Sequence, residues 1–61
     1  METGCHYEVI PRSEDLGGGW RLRLLEDGEE VGGGVFPAGD NGYAEALDTA
    51  LDWLAARGYS A

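Results

Sequence analysis

The chain has 61 residues, twelve acidic and four basic side chains, a formal net charge of −8 and one cysteine. A single cysteine cannot form an intrachain disulfide, which excludes a disulfide-stapled mini-protein. The acidic balance opposes binding to phosphate backbones and to anionic membranes. The length predicts a single domain, residues 1–61, with a small core and modest stability, so oligomerisation is one hypothesis for this chain.

The first predicted element is a short strand from His6 to Ile10. Successive side chains of a strand point to opposite faces, so Tyr7 and Val9 share one face. The other face carries His6, Glu8 and Ile10. Pro11 ends the strand or marks a sheet edge, because proline has no amide hydrogen to donate. The glycine-rich segment 12–19 is predicted to be a connection.

A hairpin follows, and its turn is predicted at Asp27-Gly28. A type I′ turn needs positive φ at both central residues, and this dipeptide supplies it. Counting outward from the turn predicts the pairs Glu26–Glu29, Leu25–Glu30, Leu24–Val31, Leu22–Gly33 and Trp20–Val35. This register predicts a core-facing set of Trp20, Leu22, Leu24, Val31 and Val35. It predicts an outward-facing set of Arg21, Arg23, Gly32 and Gly34.

The last predicted element is a helix over residues 43–57. Its composition favours a helix, and Asp40 or Asn41 is the expected N-cap. Helical spacing predicts one apolar stripe, formed by Tyr43, Leu47, Ala50, Leu51 and Leu54. The polar side is predicted to carry Glu45, Asp48, Thr49 and Asp52. Gly58 lies where a left-handed residue ends many helices.

The predicted order of elements is therefore β-β-β-α. The fold class is α+β: a three-stranded antiparallel meander with one C-terminal helix packed on one face. Two packed layers around one core is the minimal stable version of such an arrangement.

Candidate catalytic, metal and phosphate sites are weak. Cys5 and His6 are sequence neighbours and point to opposite faces of a strand, unlike a nucleophile and its base. One cysteine and one histidine do not supply the four ligands of a structural zinc site, and the segment 40–45 lacks the full calcium-loop pattern. The glycine runs 17–19 and 32–34 do not lead from a strand into a helix, as a phosphate loop does. We therefore expect no enzyme activity, no cofactor and no metal.

A candidate interaction surface comprises Arg21, Arg23, Gly32, Gly34 and Trp53. The glycines favour a twisted or bulged edge strand, and the alternative is a flat sheet face on which a partner or a second copy can sit. The arginines are expected to pair with Glu8 or Glu30, and the alternative is a nucleic-acid-binding sheet. Trp53 is expected either to stack on Arg57 or, if exposed, to anchor an interface.

The order of motifs resembles two groups of small bacterial β-β-β-α modules, the YegP-like domains and the N-terminal domain of HicB-like antitoxins. The residues that carry the resemblance are Val9, Pro11, Gly19, Trp20, Glu45, Ala46, Leu47 and Ala50. YegP-like proteins contain two copies of the unit, which implies a homodimer here. HicB-like proteins bind a small basic toxin, which implies a basic protein partner.

Together these observations predict a non-enzymatic protein-interaction module that self-associates or binds another protein. A basic protein is one candidate partner, and membranes and nucleic acids are disfavoured by the net charge. The chain shows no apolar run of membrane-spanning length and no basic-then-apolar leader after Met1, so a cytoplasmic location is expected.

Overall fold

A computed structural model describes residues 4–58. Strand β1 (Cys5–Pro11) is followed by a short 3₁₀ turn (Glu14–Leu16), strands β2 (Trp20–Glu26) and β3 (Glu29–Phe36), and helix α1 (Asp40–Ala56). The strands form an antiparallel sheet in the order β1-β2-β3, and α1 packs on one face. The predicted α+β fold with β-β-β-α order is confirmed. In the described part of the chain, no helix has the length and apolar character needed to cross a membrane.

The turn between β2 and β3 lies where the sequence predicts it. Asp27 has φ of 52° and Gly28 has φ of 87°, the two positive values that a type I′ turn requires. The backbone N–H of Gly4 donates to Asp27 Oδ1 at 2.7 Å, and the N–H of Asp27 donates to the Gly4 carbonyl at 2.9 Å. The turn is therefore also tied to the beginning of β1.

Beyond the turn, the predicted register of β2 and β3 is wrong by one residue. The pairs of Glu26 with Glu29 and of Leu25 with Glu30 are as expected, and the register then shifts between Leu24 and Leu25. Leu24 lies opposite Gly32, which makes Val31 the extra residue of a β-bulge. A shift of one residue transfers every later side chain of the strand to the other face.

The shift reverses the predicted faces of β3. Val35 lies opposite Arg21 on the side away from the helix, and Phe36 lies opposite Trp20 on the helix side. A Cβ added to Gly32 or Gly34 would contact Leu24 or Phe36, so both glycines face the helix layer. Gly33, not Gly32 or Gly34, accompanies the arginines. Its φ of +149° and the collision that a Cβ would make with the Leu22 carbonyl oxygen require glycine.

Helix α1 starts three residues earlier than predicted. Its N-cap is Gly39, and no side chain caps it, so the prediction that Asp40 or Asn41 caps the helix is wrong. The other end is as expected: Gly58 adopts φ of +89° and its N–H donates to the Ala55 carbonyl at 3.0 Å.

The helix faces the sheet with small residues. Buried Ala46 and Ala50 pack with Leu22 and Leu24, and Gly42 is buried at the same face of α1. The surrounding half-buried side chains are Tyr7, Val9, Phe36 and Trp53. The predicted stripe is therefore rotated by about one residue (100° per residue), and only Ala50 of that stripe belongs to the core.

Large side chains on the sheet explain this rotation. Trp20 lies on the helix side, where its indole N–H donates to the Gly39 carbonyl at 3.1 Å and its ring meets Tyr43 edge to face at 4.9 Å. Tyr7 and Phe36 come from the outer strands of the same layer. The aromatic rings fill the space between the layers, and small helix residues let the backbone of α1 approach the sheet closely.

Candidate functional site

The sheet face away from α1, here called the outer sheet face, is not covered by any element of the described chain. Strand pairing places Ile10, Arg21 and Val35 side by side across the three strands, and Glu8, Arg23 and Gly33 form the next row. Ile10 is 38% exposed and Val35 is 60% exposed. The face therefore combines aliphatic and charged side chains in neighbouring rows.

An ionic ladder crosses this face. Arg23 Nη1 donates to Glu8 Oε1 at 2.8 Å and Arg23 Nε donates to Glu30 Oε1 at 3.0 Å. Arg21 Nη2 reaches Glu30 Oε2 at 3.3 Å. The predicted pairing of the arginines with Glu8 or Glu30 is confirmed: Arg23 pairs with both glutamates and Arg21 pairs with Glu30. Because Trp20 lies on the helix side, the ladder is not interleaved with that aromatic ring, and the geometry does not favour base stacking on this face.

The ladder perturbs the titration of its central carboxylate. The hydrogen bond from Arg23, helped by the positive charge of Arg21, lowers the pKa of Glu30 below its ordinary value. The same hydrogen bond to Glu30 raises the pKa of Arg23. Because folding lowers the pKa of Glu30, its ionised carboxylate stabilises the fold at pH values above the ordinary glutamate pKa. This contribution is lost as the pH falls through the lowered pKa. The exposure of Glu30 to solvent keeps this contribution to stability small.

We expect the side-chain carboxyl of Glu30 to titrate in an NMR pH series with a pKa below that of an ordinary glutamate. Arg23→Gln removes the hydrogen bond that contributes most to the lowered pKa of Glu30, and should return this pKa toward its ordinary value. Arg57→Gln, which removes an arginine that pairs with Glu26 and not with Glu30, is the control and should leave that pKa unchanged. An unshifted Glu30 in the unmodified chain would show that the ladder does not persist in solution.

An open groove lies at one end of the outer sheet face. Its volume is about 510 Å³, and its apolar lining comes from Ile10, Pro11, Leu16 and Val35. Arg12 and Arg21 also line it. Leu16 belongs to the 3₁₀ turn between β1 and β2 and is 66% exposed. The connection that the sequence suggested only as a loop therefore contributes an exposed leucine to the surface.

The residues predicted as one interaction surface lie on different surfaces. Arg21 and Arg23 belong to the outer sheet face, whereas Gly32 and Gly34 face the helix layer. Trp53 is half-buried against the core, and the guanidinium carbon of Arg57 lies 4.7 Å from its ring centroid. The predicted Trp53–Arg57 stack is confirmed.

A second apolar surface was not predicted. Because α1 turns its small residues inward, four large side chains remain along its flank, here called the helix stripe: Tyr43, Leu47, Leu51 and Leu54. Tyr43 is 40% exposed and Leu51 is 41% exposed, while Leu47 and Leu54 are half-buried. The spacing that predicted this stripe was correct, but its assignment to the core was not.

Formal charge is distributed unevenly between these surfaces. The outer sheet face and its groove carry three arginines (12, 21 and 23) and two glutamates (8 and 30), a net charge of +1. The rest of the sequence has one arginine and ten acidic residues, a net charge of −9, which accounts for the total of −8. Helix α1 alone has four acidic residues and no basic one.

The structure also locates the cysteine and the histidine. Cys5 Sγ lies 3.7 Å from Glu26 Oε2, which in turn lies 3.3 Å from Arg57 Nε at the end of the helix. His6 is the next residue of β1 and pairs with Leu25, so strand alternation directs it to the outer sheet face. Within residues 4–58, no three histidine, cysteine, aspartate or glutamate side chains converge as a metal site.

Comparison with known proteins returned no relatives. No protein-family model, no curated protein and no solved structure matches this chain. The resemblance to YegP-like domains and to HicB-like antitoxins stays a prediction.

Proposed function

We propose that the chain is a non-enzymatic protein-interaction module that self-associates through its outer sheet face. The observation that carries the proposal is the uncovered groove of this face, where Ile10, Leu16 and Val35 expose aliphatic surface next to Arg21. Contiguous exposed apolar surface with a polar rim is typical of interaction sites.

The small size of the core is a second argument for self-association, because a contact between copies would add stability. The buried hydrophobic residues of the described chain are Leu22, Leu24, Leu25, Ala46 and Ala50. Two of these five are alanines, which bury little apolar area, and a domain of this length has little stability to spare. Oligomerisation is one of the ways in which such small domains gain stability.

Electrostatics favours the outer sheet face over the other surfaces for contact between copies. Two chains of charge −8 repel each other, and the repulsion is smallest when near-neutral surfaces meet. The outer sheet face, with its net charge of +1, is such a surface, and its use would direct the acidic surfaces outward. Added salt is expected to strengthen the association, because it screens the overall repulsion.

The ionic ladder is compatible with burial. Arg23 already has two carboxylate partners, and Arg21 shares Glu30 with it. A buried charge is most costly when it has no partner of opposite sign. The charges of the ladder keep their partners when a contact covers them. The three-stranded face is small, roughly 14 Å wide by 24 Å long at usual strand spacings, so we expect a weak dimer.

The test is a measurement of mass against concentration. We expect sedimentation equilibrium to show 6.5 kDa at low concentration and twice that mass as the concentration rises from about 10 µM toward about 1 mM. Val35→Asp places a charge in the groove of the outer sheet face and should keep the chain monomeric. Circular dichroism should show that this exposed-site variant still folds.

Leu51→Asp is the matched control. It adds the same charge to an exposed aliphatic position, but on the helix stripe, and should leave the dissociation constant within about twofold of the unmodified chain. A chain that stays at 6.5 kDa throughout, or a dimer that Leu51→Asp disrupts and Val35→Asp does not, would overturn the proposal.

A further inference from the structure

We infer that the helix stripe is a docking site for an amphipathic helix of another protein, one that carries basic residues beside its apolar ones. This surface is separate from the outer sheet face, so the inference does not depend on self-association. It rests on the shape, exposure and charge of α1.

The shape of the stripe fits a helix. Tyr43, Leu47, Leu51 and Leu54 follow one another at intervals of four, four and three residues along one flank of α1. Helices that bind in grooves or against other helices present anchors at this spacing. The stripe extends along most of the 17-residue helix, long enough for three turns of a partner to pack against it.

The exposure of these residues indicates that a partner is missing. The inward face of α1 is already filled by Gly42, Ala46, Ala50 and the half-buried Trp53. Leu51 therefore stays 41% exposed, and Tyr43 stays 40% exposed although its ring meets Trp20. A helix that serves only to cover the sheet needs one apolar face, and α1 has two adjacent ones.

The charge around the stripe defines the partner. Asp48 lies within one turn of Leu51, Asp40 lies within one turn of Tyr43, and the helix has no basic residue. Arg57, just beyond the helix, is held by Trp53 and Glu26 and does not neutralise this side. Lysine or arginine residues on the partner would complement these carboxylates and accelerate encounter.

The same charges exclude other occupants. A second copy would bring another acidic helix against the first, and anionic lipid or nucleic acid would be repelled in the same way. This chain has no lysine, and three of its four arginines belong to the outer sheet face and its groove. The basic helix must therefore come from a different protein.

The probe is a synthetic peptide of about 18 residues, made of leucine and lysine with leucines at helical spacing, long enough to form a helix on binding. We expect calorimetry at low salt to show binding and NMR to show shift changes at Leu47 and Leu51. A peptide of the same composition with its order scrambled should bind at least about fivefold more weakly, since it cannot align its leucines on one face.

Two pairs of variants separate docking from general charge attraction. Leu51→Ser should weaken binding about tenfold, and Val35→Ser, an equivalent loss on the outer sheet face, should not change it. Asp40→Asn with Asp48→Asn should weaken binding about fivefold at low salt, while Glu14→Gln with Asp15→Asn removes the same charge from the 3₁₀ turn and should have little effect.

Equal binding of the scrambled peptide, or equal losses from the two charge-removing double variants, would overturn the inference. Shift changes centred on Val35 instead of Leu51 would also overturn it. These outcomes are distinct from failure of the self-association proposal, which is judged by mass in the absence of peptide.

Discussion

Leu22→Ala is expected to cost about 2–5 kcal/mol of stability, because it removes the core's largest fully buried side chain and leaves a cavity. Leu22 is 1% exposed and packs between the sheet and the buried alanines of α1. A domain of 61 residues has a total stability of about 3–9 kcal/mol at usual values per residue. The variant should therefore unfold at a much lower urea concentration, or be largely unfolded in buffer, when followed by circular dichroism.

Leu51→Ala is the matched control for this experiment. It deletes the same atoms from a side chain that is 41% exposed, and alanine favours the helix, so the free energy of unfolding should change by less than about 1 kcal/mol. A larger loss for Leu51→Ala than for Leu22→Ala would mean that the helix packs on the sheet through its leucines and not through Ala46 and Ala50.

The features predicted correctly from sequence are those set by local chemistry. Asp27-Gly28 determines the turn because few dipeptides tolerate two positive φ values. The alternation of Tyr7 and Val9 with polar residues determines the faces of β1, and Gly58 ends the helix. The pairing of Arg23 with Glu8 followed because β1 and β2 pair without irregularity.

The features missed depend on contacts between elements. The glycines indicated a bulged edge strand, and the bulge is confirmed. A run of three glycines presents no side chains to align, however, so the sequence of β3 did not place the bulge at Val31 or predict the register beyond it. The bulge exchanged the faces of Val35 and Phe36 and moved Val35 to the side that the sequence had assigned to Arg21 and Arg23. Phe36 is the larger apolar side chain, and placing it in the core opposite Trp20 instead of Val35 would have favoured the shifted register.

The rotation of α1 was missed for a related reason. Hydrophobicity alone assigns Leu47 and Leu51 to the core, but the volume between helix and sheet is already occupied by Tyr7, Trp20 and Phe36. Packing density, and not hydrophobicity, then selects Ala46 and Ala50 for the inward face. The same competition for space produced the helix stripe.

The two uncovered surfaces would act together if both proposals hold. The outer sheet face lies on the side of the sheet opposite α1, so association through the sheet leaves both helix stripes of a dimer accessible. A dimer could then bind two basic helices, and a partner that carries two such helices would gain affinity through the raised effective concentration of the second site. The monomeric Val35→Asp variant should lose this gain while binding a single helix normally.

Gly42→Ala should destabilise the fold, although alanine normally stabilises a helix by about 1 kcal/mol relative to glycine. Gly42 is buried in the first turn of α1, and a Cβ there would collide with the Pro37 carbonyl oxygen. Forcing an added methyl into such a contact costs about 1–3 kcal/mol or more. The free energy of unfolding measured by urea denaturation should therefore decrease. Thr49→Ala, at an exposed helix position, is the control and should be neutral or stabilising. A stabilised Gly42→Ala variant would mean that the helix does not approach Pro37 this closely, and the small-residue packing that exposes the helix stripe would lose its basis.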